Sequence, residues 1–274
     1  MKKYLFLVTL LALTCSCNVV AKQLSLLGGG KLQTDSIVFE KDQSHATIRL
    51  YVDFPTSGND ILVNAIAEYI SETLGGTYEG DLKDGKKLVN NYGQKQWESL
   101  RAEYVNMTDE MDSEFLSSIS FYTTYEIRKI YETDLVVTYA SFSDTYLGGA
   151  HGMQYSYGVT FRKSDGRRFS YAMMRELGTE GFYTLTKNGL KEYFDEATGS
   201  ALSDEELKGY LLTEDDVNYL TRPHADPYMV EKGVQFIYQP YEIAPYAAGM
   251  PEYTVSYDKI LPYLSVSARR MIGK

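Results

Sequence analysis

The alternation of apolar and polar side chains that decides the fold is clearest in residues 47–54, which read Thr47-Ile48-Arg49-Leu50-Tyr51-Val52-Asp53-Phe54. Successive side chains of a β-strand point to opposite faces of a sheet, so this period of two predicts a strand with one buried face. Residues 36–40 alternate in the same way. Together the two stretches predict a β-hairpin.

Two helices are predicted directly after this hairpin. Residues 59–74 carry an apolar stripe at helical spacing, which Asn59 or Asp60 can cap and which ends at Gly75-Gly76. The stripe consists of Ile61, Ala65, Ile66 and Ile70, with Leu62 beside them. Residues 83–105 predict a second, more polar helix, in which a break at Gly93 is left open. The apolar side chains expected to dock it on a sheet are Leu88, Tyr92, Trp97, Leu100 and Tyr104.

The rest of the chain mixes strands with helices. Strand spacing returns in residues 115–146, which predict two long antiparallel strands joined near residues 132–134. Further elements are predicted as a strand at 153–162, a tight turn at 164–167, a helix at 178–196, short strands at 234–238 and 253–257, and a last helix at 257–264. Because strand pairs are interleaved with helices, we predict an α+β fold with antiparallel sheets covered by helices, in two closely packed lobes.

The first 21 residues have the features of an export signal. A positive start at residues 1–3 precedes an apolar run at 4–13 that is too short to span a bilayer, and small residues follow. Cys17, with Ser16 before it, resembles the lipidated cysteine of bacterial lipoproteins. Two alternatives stay open: lipidation at Cys15, and cleavage after Ala21 to release a soluble protein. We expect an extracytoplasmic lipoprotein, on the periplasmic or cell-surface side, that touches the membrane only through its anchor.

Four segments are expected along the chain. Residues 1–21 form the signal and lipidation site, 22–33 a glycine-containing linker, 34–110 an N-terminal α+β part and 111–274 a C-terminal α+β domain. Both cysteines lie inside the signal, so an exported chain has no internal disulfide and depends on a packed core.

The charge and the tyrosine content limit the classes of partner that the protein can be expected to bind. The net charge of −10 disfavours nucleic acid and anionic membrane surfaces and would attract a basic partner, although it serves solubility equally well. The 25 tyrosines suit half-buried strands, and the same side chain suits sugar-binding or protein-binding surfaces.

A glycine-rich turn carries the first candidate site. It reads Tyr146-Leu147-Gly148-Gly149-Ala150-His151-Gly152. An imidazole in such a turn can act as acid, base, metal ligand or structural hydrogen bonder. His45 and His224 lie in unrelated segments without metal-ligand spacing, so we expect no metal, and we favour a structural role for His151.

A proline-containing loop at residues 236–252 carries the second candidate site. Prolines at 240, 245 and 251 exclude regular structure and give the loop a fixed shape. It either presents side chains to a ligand or plugs the end of the sheet. The predicted ligand-binding residues of the two segments are Tyr146, His151, Tyr241, Glu242 and Tyr246. The predicted structural positions are Gly148, Gly149, Pro240, Pro245 and Gly249.

These two motifs, followed by a strand and by Ile260-Leu261-Pro262-Tyr263-Leu264, resemble the extracytoplasmic domain of unknown function shared by RsiV-type anti-sigma factors and PdaC-type peptidoglycan deacetylases. Residues 34–110 are similar to the accessory module of PdaC-type proteins. The resemblance implies an α+β fold at the cell envelope. RsiV-type domains bind lysozyme, and PdaC-type domains accompany a separate catalytic domain, so the resemblance assigns no catalytic residue. We expect neither a sigma-binding segment nor a deacetylase domain here.

The sequence therefore predicts a non-catalytic envelope lipoprotein, without a cofactor, that binds a basic protein such as lysozyme or a peptidoglycan-like glycan. One alternative is a cell-wall hydrolase in which His151 works with Asp144 or Glu242. The other is a purely structural envelope component.

Overall fold

A computed structural model describes residues 30–43, 45–108, 119–214 and 216–274. Within these ranges, five strands form one sheet in the order β1-β2-β3-β4-β5. They are β1 (Thr34–Gln43), β2 (Ala46–Pro55), β3 (Phe121–Glu132), β4 (Val136–Tyr146) and β5 (Met153–Arg162). The predicted hairpin of β1 and β2 is confirmed, as are the antiparallel pair β3–β4 and the strand β5. The predicted strand residues 115–118 lie outside the described ranges.

Strands β2 and β3 pair in parallel, with Leu50 opposite Tyr125. Parallel neighbours need a crossover connection, and here it contains α1 (Asp60–Leu74) and α2 (Gly85–Thr108). The α+β prediction is confirmed. The other strand pairs of the described sheets are antiparallel, and this one parallel pair is a feature that the sequence did not indicate.

Helix α1 begins and ends where its sequence predicts. The Asn59 side chain accepts a hydrogen bond from the Leu62 N–H (2.8 Å), and Gly75 ends the helix at a φ of +135°. The buried face includes Leu62, Ile66 and Ile70. Ile61 is 60 % exposed, so its predicted place on the buried face is wrong. The buried face is centred near Ile70, and Ile61 lies on the opposite side of the helix.

Helix α2 continues through Gly93 without a break. A Cβ at this position would overlap the ring of Phe39 on β1. The glycine therefore lets the helix approach the sheet closely. The predicted docking side chains Leu88, Tyr92, Trp97 and Leu100 are buried, and Tyr104 is partly buried against the same core.

A second sheet lies against the other face of the first. Its antiparallel strands are β6 (Tyr228–Val230), β7 (Gly233–Ile237) and β8 (Glu252–Ser256). The Thr138 hydroxyl donates to the Met229 carbonyl (2.7 Å), and the Met229 N–H donates to the Thr160 hydroxyl (2.7 Å). Gly158 carries no side chain where the ring of Tyr228 packs. The first sheet is thus covered by helices on one face and by the second sheet on the other.

The remaining helices pack around the second sheet. They are α3 (Glu180–Thr198), α4 (Asp204–Tyr210), α5 (Tyr257–Ile260) and α6 (Val266–Met271). The predicted last helix at 257–264 is α5 followed by a 3₁₀ turn, while β6, α4 and α6 were not predicted because they are too short to show a period. None of the helices in the described ranges has the length and apolarity needed to cross a membrane.

Buried side chains form two apolar cores. One lies between the first sheet and α1 and α2, and the other surrounds the second sheet. Strands from both sides of residue 110 belong to the first sheet. The predicted division into domains at that residue stays a prediction.

A buried ion pair holds the start of the described chain against the sheet. Lys163, 2 % exposed, donates from Nζ to Glu132 Oε1 (2.5 Å) and to the Gly30 carbonyl (2.9 Å). Glu132 also accepts the Leu32 N–H (2.6 Å) and Lys129 Nζ (2.9 Å). Burial raises the pKa of Glu132, but these three donors outweigh it and hold the pKa below its usual value.

We predict that Lys163→Met lowers the free energy of unfolding by about 3–5 kcal/mol, because Glu132 loses its closest cationic partner inside the protein. The measurement is urea unfolding at neutral pH. Arg49→Met is the control, because both side chains of the Arg49–Glu40 pair are exposed and its loss is expected to change stability much less.

The ionised form of Glu132 is the one stabilised by folding, so its contribution exists above the unfolded-state pKa of about 4.3 and disappears as the pH falls through the lower folded-state pKa. The acid dependence of unfolding is therefore flatter in Glu132→Gln. A Lys163→Met protein as stable as the Arg49→Met control would contradict this account.

Candidate functional site

The two predicted motifs contact each other. The imidazole of His151 stacks on the ring of Tyr246, with centroids 3.9 Å apart and planes 20° apart. Its Nδ1 lies 2.7 Å from the Gly152 carbonyl, which also accepts a hydrogen bond from the Tyr246 hydroxyl (2.7 Å). Its Nε2 lies 3.2 Å from the Tyr241 hydroxyl. The glycine turn and the proline loop therefore form one aromatic cluster, His151-Tyr241-Tyr246.

Both nitrogens of His151 are engaged in this cluster. Because the Gly152 carbonyl can only accept, Nδ1 donates to it and Nε2 of the neutral ring accepts from the Tyr241 hydroxyl. Within the described ranges, neither nitrogen contacts a carboxylate. Asp144 instead accepts from Gln154 (3.1 Å) and Tyr122 (3.4 Å). The arrangement supplies no acid–base pair and favours the structural role of His151.

Tyr241 and Glu242 point in different directions from the loop. Tyr241 has a φ of +66°, which is rare for a side chain of this size, and its ring is half exposed. The Glu242 side chain is 9 % exposed. Its carboxylate accepts the N–H groups of Gln239 (2.8 Å) and His224 (2.5 Å). Glu242 thus holds the loop to residues 224–226, and its predicted ligand-binding role stays a prediction.

The remaining predicted positions differ in their surroundings. Gly148 has a φ of +81°, and a Cβ there would lie 2.9 Å from both Met107 and Phe121. Gly249 has a φ of +72°, while Gly149 has no such close neighbour. Tyr146 packs against Tyr122, with centroids 6.0 Å apart. Pro240 and Pro245 lie beside Tyr241 and Tyr246, where the loop presents its two rings.

The structure also has a cleft that the sequence did not predict. It encloses about 360 Å³ on the face of the first sheet that also carries α1, beyond the end of the helical cover. Tyr155 and Tyr157 of β5, 39 % and 42 % exposed, stand beside each other with centroids 6.5 Å apart and planes 14° apart. The principal lining side chains are Tyr69, Thr73, Tyr125, Ser141, Ser143, Tyr155, Tyr157, Arg168 and Asp226.

The proline loop supports this cleft from outside. The Gln239 side chain accepts the Ser156 N–H (3.1 Å) and donates to the Ser156 carbonyl (2.7 Å), between the two exposed tyrosines. The bond from His224 to Glu242 fixes the segment that continues into Ala225 and Asp226 of the cleft wall. Burial, with smaller effects of Tyr155 and Glu242, raises the pKa of Tyr157.

The described wall of the cleft combines apolar and polar groups. It offers aromatic faces, serine and threonine hydroxyls, one cation and one carboxylate, a combination typical of small-ligand sites. In the part of the chain that the structure describes, no three side chains of the metal-ligating types come together.

Comparison with known proteins relates this part of the fold to a family. Residues 176–258, from just before α3 to the first residues of α5, match the model of a family described as a protein of unknown function, DUF3298. The chain contains a DUF3298-like region. The match includes the proline loop but lies beyond the glycine turn.

Solved structures extend the likeness to the whole fold. A member of the DUF3298 family from Bacteroides fragilis NCTC 9343 superposes with a TM-score of 0.70 at 18% identity, over 90% of this chain and 100% of that one. A DUF3298 family protein from Pseudomonas aeruginosa PAO1 gives 0.55 at 16%, over 88% of this chain and 97% of that one. No curated protein matches by sequence. At these identities the likeness shows the fold alone.

We predict that Glu242→Ala lowers the free energy of unfolding by about 1–3 kcal/mol, because two backbone N–H groups lose their acceptor. The control is Glu196→Ala, which removes an exposed glutamate from α3. Urea unfolding measures both. Equal stability of the two variants would contradict the structural role of Glu242.

Proposed function

We propose that this protein is an exported, lipid-anchored protein of the cell envelope that binds a peptidoglycan-like glycan without transforming it. The observation that carries the proposal is the pair of exposed rings, Tyr155 and Tyr157, on the cleft of the first sheet. Large aromatic faces left open at a concave surface favour a ligand with its own apolar faces. The C–H faces of sugar rings have this character, and their hydroxyls need polar partners at the edge.

The cleft supplies such partners. The hydroxyls of Ser143 and Thr73 and the carboxylate of Asp226 line the same space as the tyrosine rings. A volume of about 360 Å³ lies at the small end of ligand sites and suits a short saccharide segment. The rings lie on a paired strand whose edge Gln239 fixes, so the backbone that carries them loses little conformational freedom on binding.

A basic protein is the second candidate ligand. The net charge of −10 favours steering of a cationic partner, and the resemblance to RsiV-type domains points to lysozyme. This mode depends on long-range charge and weakens steeply with salt, whereas ring stacking does not. Titrations at two salt concentrations therefore separate the two ligand classes.

The proposed location depends on the N-terminal sequence. Cys17 with Ser16 before it follows an apolar run, and a glycine-containing tether follows. The tether joins the fold at Gly30 and Leu32, where Lys163 and Glu132 hold the backbone. A glycine-containing segment that leads into such a fixed point suits a folded body attached to a membrane through a lipid.

We predict that peptidoglycan fragments bind the wild-type protein and that Tyr155→Ala/Tyr157→Ala weakens their binding about tenfold or more, because two stacking faces are lost. Isothermal titration calorimetry at 0.15 M salt measures the affinity. The control is Tyr219→Ala, an exposed tyrosine outside the cleft. No heat with the wild type, or equal affinities for the double variant and the control, would contradict the proposal.

We predict that Cys17→Ala abolishes incorporation of an alkyne-labelled fatty acid and moves the protein out of the membrane fraction. Cys15→Ala, the matched control two residues away, keeps both. Metabolic labelling followed by fractionation measures this. Loss of label in Cys15→Ala alone would assign the anchor to Cys15. Absence of label in both the wild-type protein and Cys15→Ala would contradict an anchored location.

A further inference from the structure

Arg168 occupies a fixed position on the wall of the cleft. Its Nη1 donates to Glu72 Oε2 on α1 (2.7 Å). Its guanidinium carbon lies 5.5 Å from the ring centroid of Tyr69 and 5.7 Å from that of Phe161. Two aromatic rings and one carboxylate thus hold the guanidinium, while 37 % of the side chain stays exposed. A planar guanidinium held in this way is preorganised to receive a second anion.

The remaining donors of Arg168 are free for a ligand. In the described ranges, Nη1 is the atom that donates to Glu72, and neither Nε nor Nη2 donates to a protein acceptor. These two groups form one side of the fork that matches both oxygens of a carboxylate. Arg168 is also the one basic side chain among the described residues of the cleft wall.

The cleft's own carboxylate does not compete for these donors. Asp226 accepts the N–H of Tyr171 (2.8 Å) and makes no ion pair with Arg168 within the described ranges. The positive group therefore faces the same space as the tyrosine rings, in a protein whose net charge is −10.

We infer that the saccharide bound in the cleft carries a carboxylate, which pairs with Nε and Nη2 of Arg168 while the sugar ring lies against Tyr155 or Tyr157. The inference rests on the proposed glycan-binding function and names its ligand class. Glu72 tunes the site: it orients the guanidinium through Nη1, and its negative charge opposes the arriving carboxylate.

The carboxylate can belong to a lactyl ether on an amino sugar or to a uronic acid. Three disaccharides separate these sources by calorimetric titration of the full chain. They are N-acetylglucosaminyl-N-acetylmuramic acid, a glucuronic acid–N-acetylglucosamine disaccharide, and the neutral di-N-acetylchitobiose. We expect at least one acidic disaccharide to bind about tenfold or more tightly than the neutral one.

Two variants of the pair test the assignment in opposite directions. Arg168→Gln keeps a hydrogen-bonding side chain but removes the charge, so we expect the acidic disaccharide to lose about 10- to 100-fold in affinity and the neutral one to change less than about twofold. Glu72→Gln removes the opposing charge, so we expect the acidic disaccharide to bind about two- to fivefold more tightly. The control is Arg49→Gln, which breaks an exposed arginine–glutamate pair on another strand.

Each outcome supports or overturns the inference. Equal binding of acidic and neutral disaccharides, unchanged in both variants, overturns the role of Arg168 and leaves glycan binding intact. Absence of binding by all three, in wild-type protein that is folded by circular dichroism, overturns glycan binding itself. If Arg168→Gln fails to fold, Glu72→Gln still decides, because an unchanged preference for the acidic ligand in that variant overturns the inference.

Discussion

The parallel pairing of β2 with β3 determines which part of the first sheet is covered. Such a pair requires a crossover, and the crossover carries α1 and α2 over one face of the sheet. Beyond Tyr69 none of the described helices lies on the same face of β4 and β5, and the cleft lies there. The Glu132–Lys163 pair joins the end of β3 to the residue that follows β5. The cleft is thus a consequence of topology, and its tyrosines belong to a strand that is held on its other face by β6.

Much of the fold follows from local patterns in the sequence. The period of two predicted β1 to β5, and helical spacing predicted α1, α2 and α3. The three-residue strand β6 and the helices α4 and α6, of seven and six residues, are too short to establish a period, and packing against larger elements stabilises them. Ile61 shows a second limit: several apolar residues in one helix allow more than one buried face, and only the sheet beneath decides between Ile61 and Leu62.

The candidate site was predictable in part. The glycine turn and the proline loop stood out by composition, but nothing in the sequence shows that His151 would stack on Tyr246, which lies far along the chain. The cleft was missed because its members are ordinary strand residues. The available signal was the spacing of Tyr155 and Tyr157, which puts both rings on one face of the sheet. The same spacing is expected for a face that is buried against another layer. Only the position of α1 shows that these rings stay open.

The two hydrogen bonds between Gln239 and Ser156 have a consequence for self-association. Strand β5 is the last strand of its sheet, so its outer N–H and C=O groups would be a template on which a neighbouring molecule could add a strand. The amide of Gln239 imitates one residue of such a strand and occupies both groups of Ser156. Edge-to-edge polymerisation of crowded copies is thereby disfavoured, on the same strand that carries the exposed rings of Tyr155 and Tyr157.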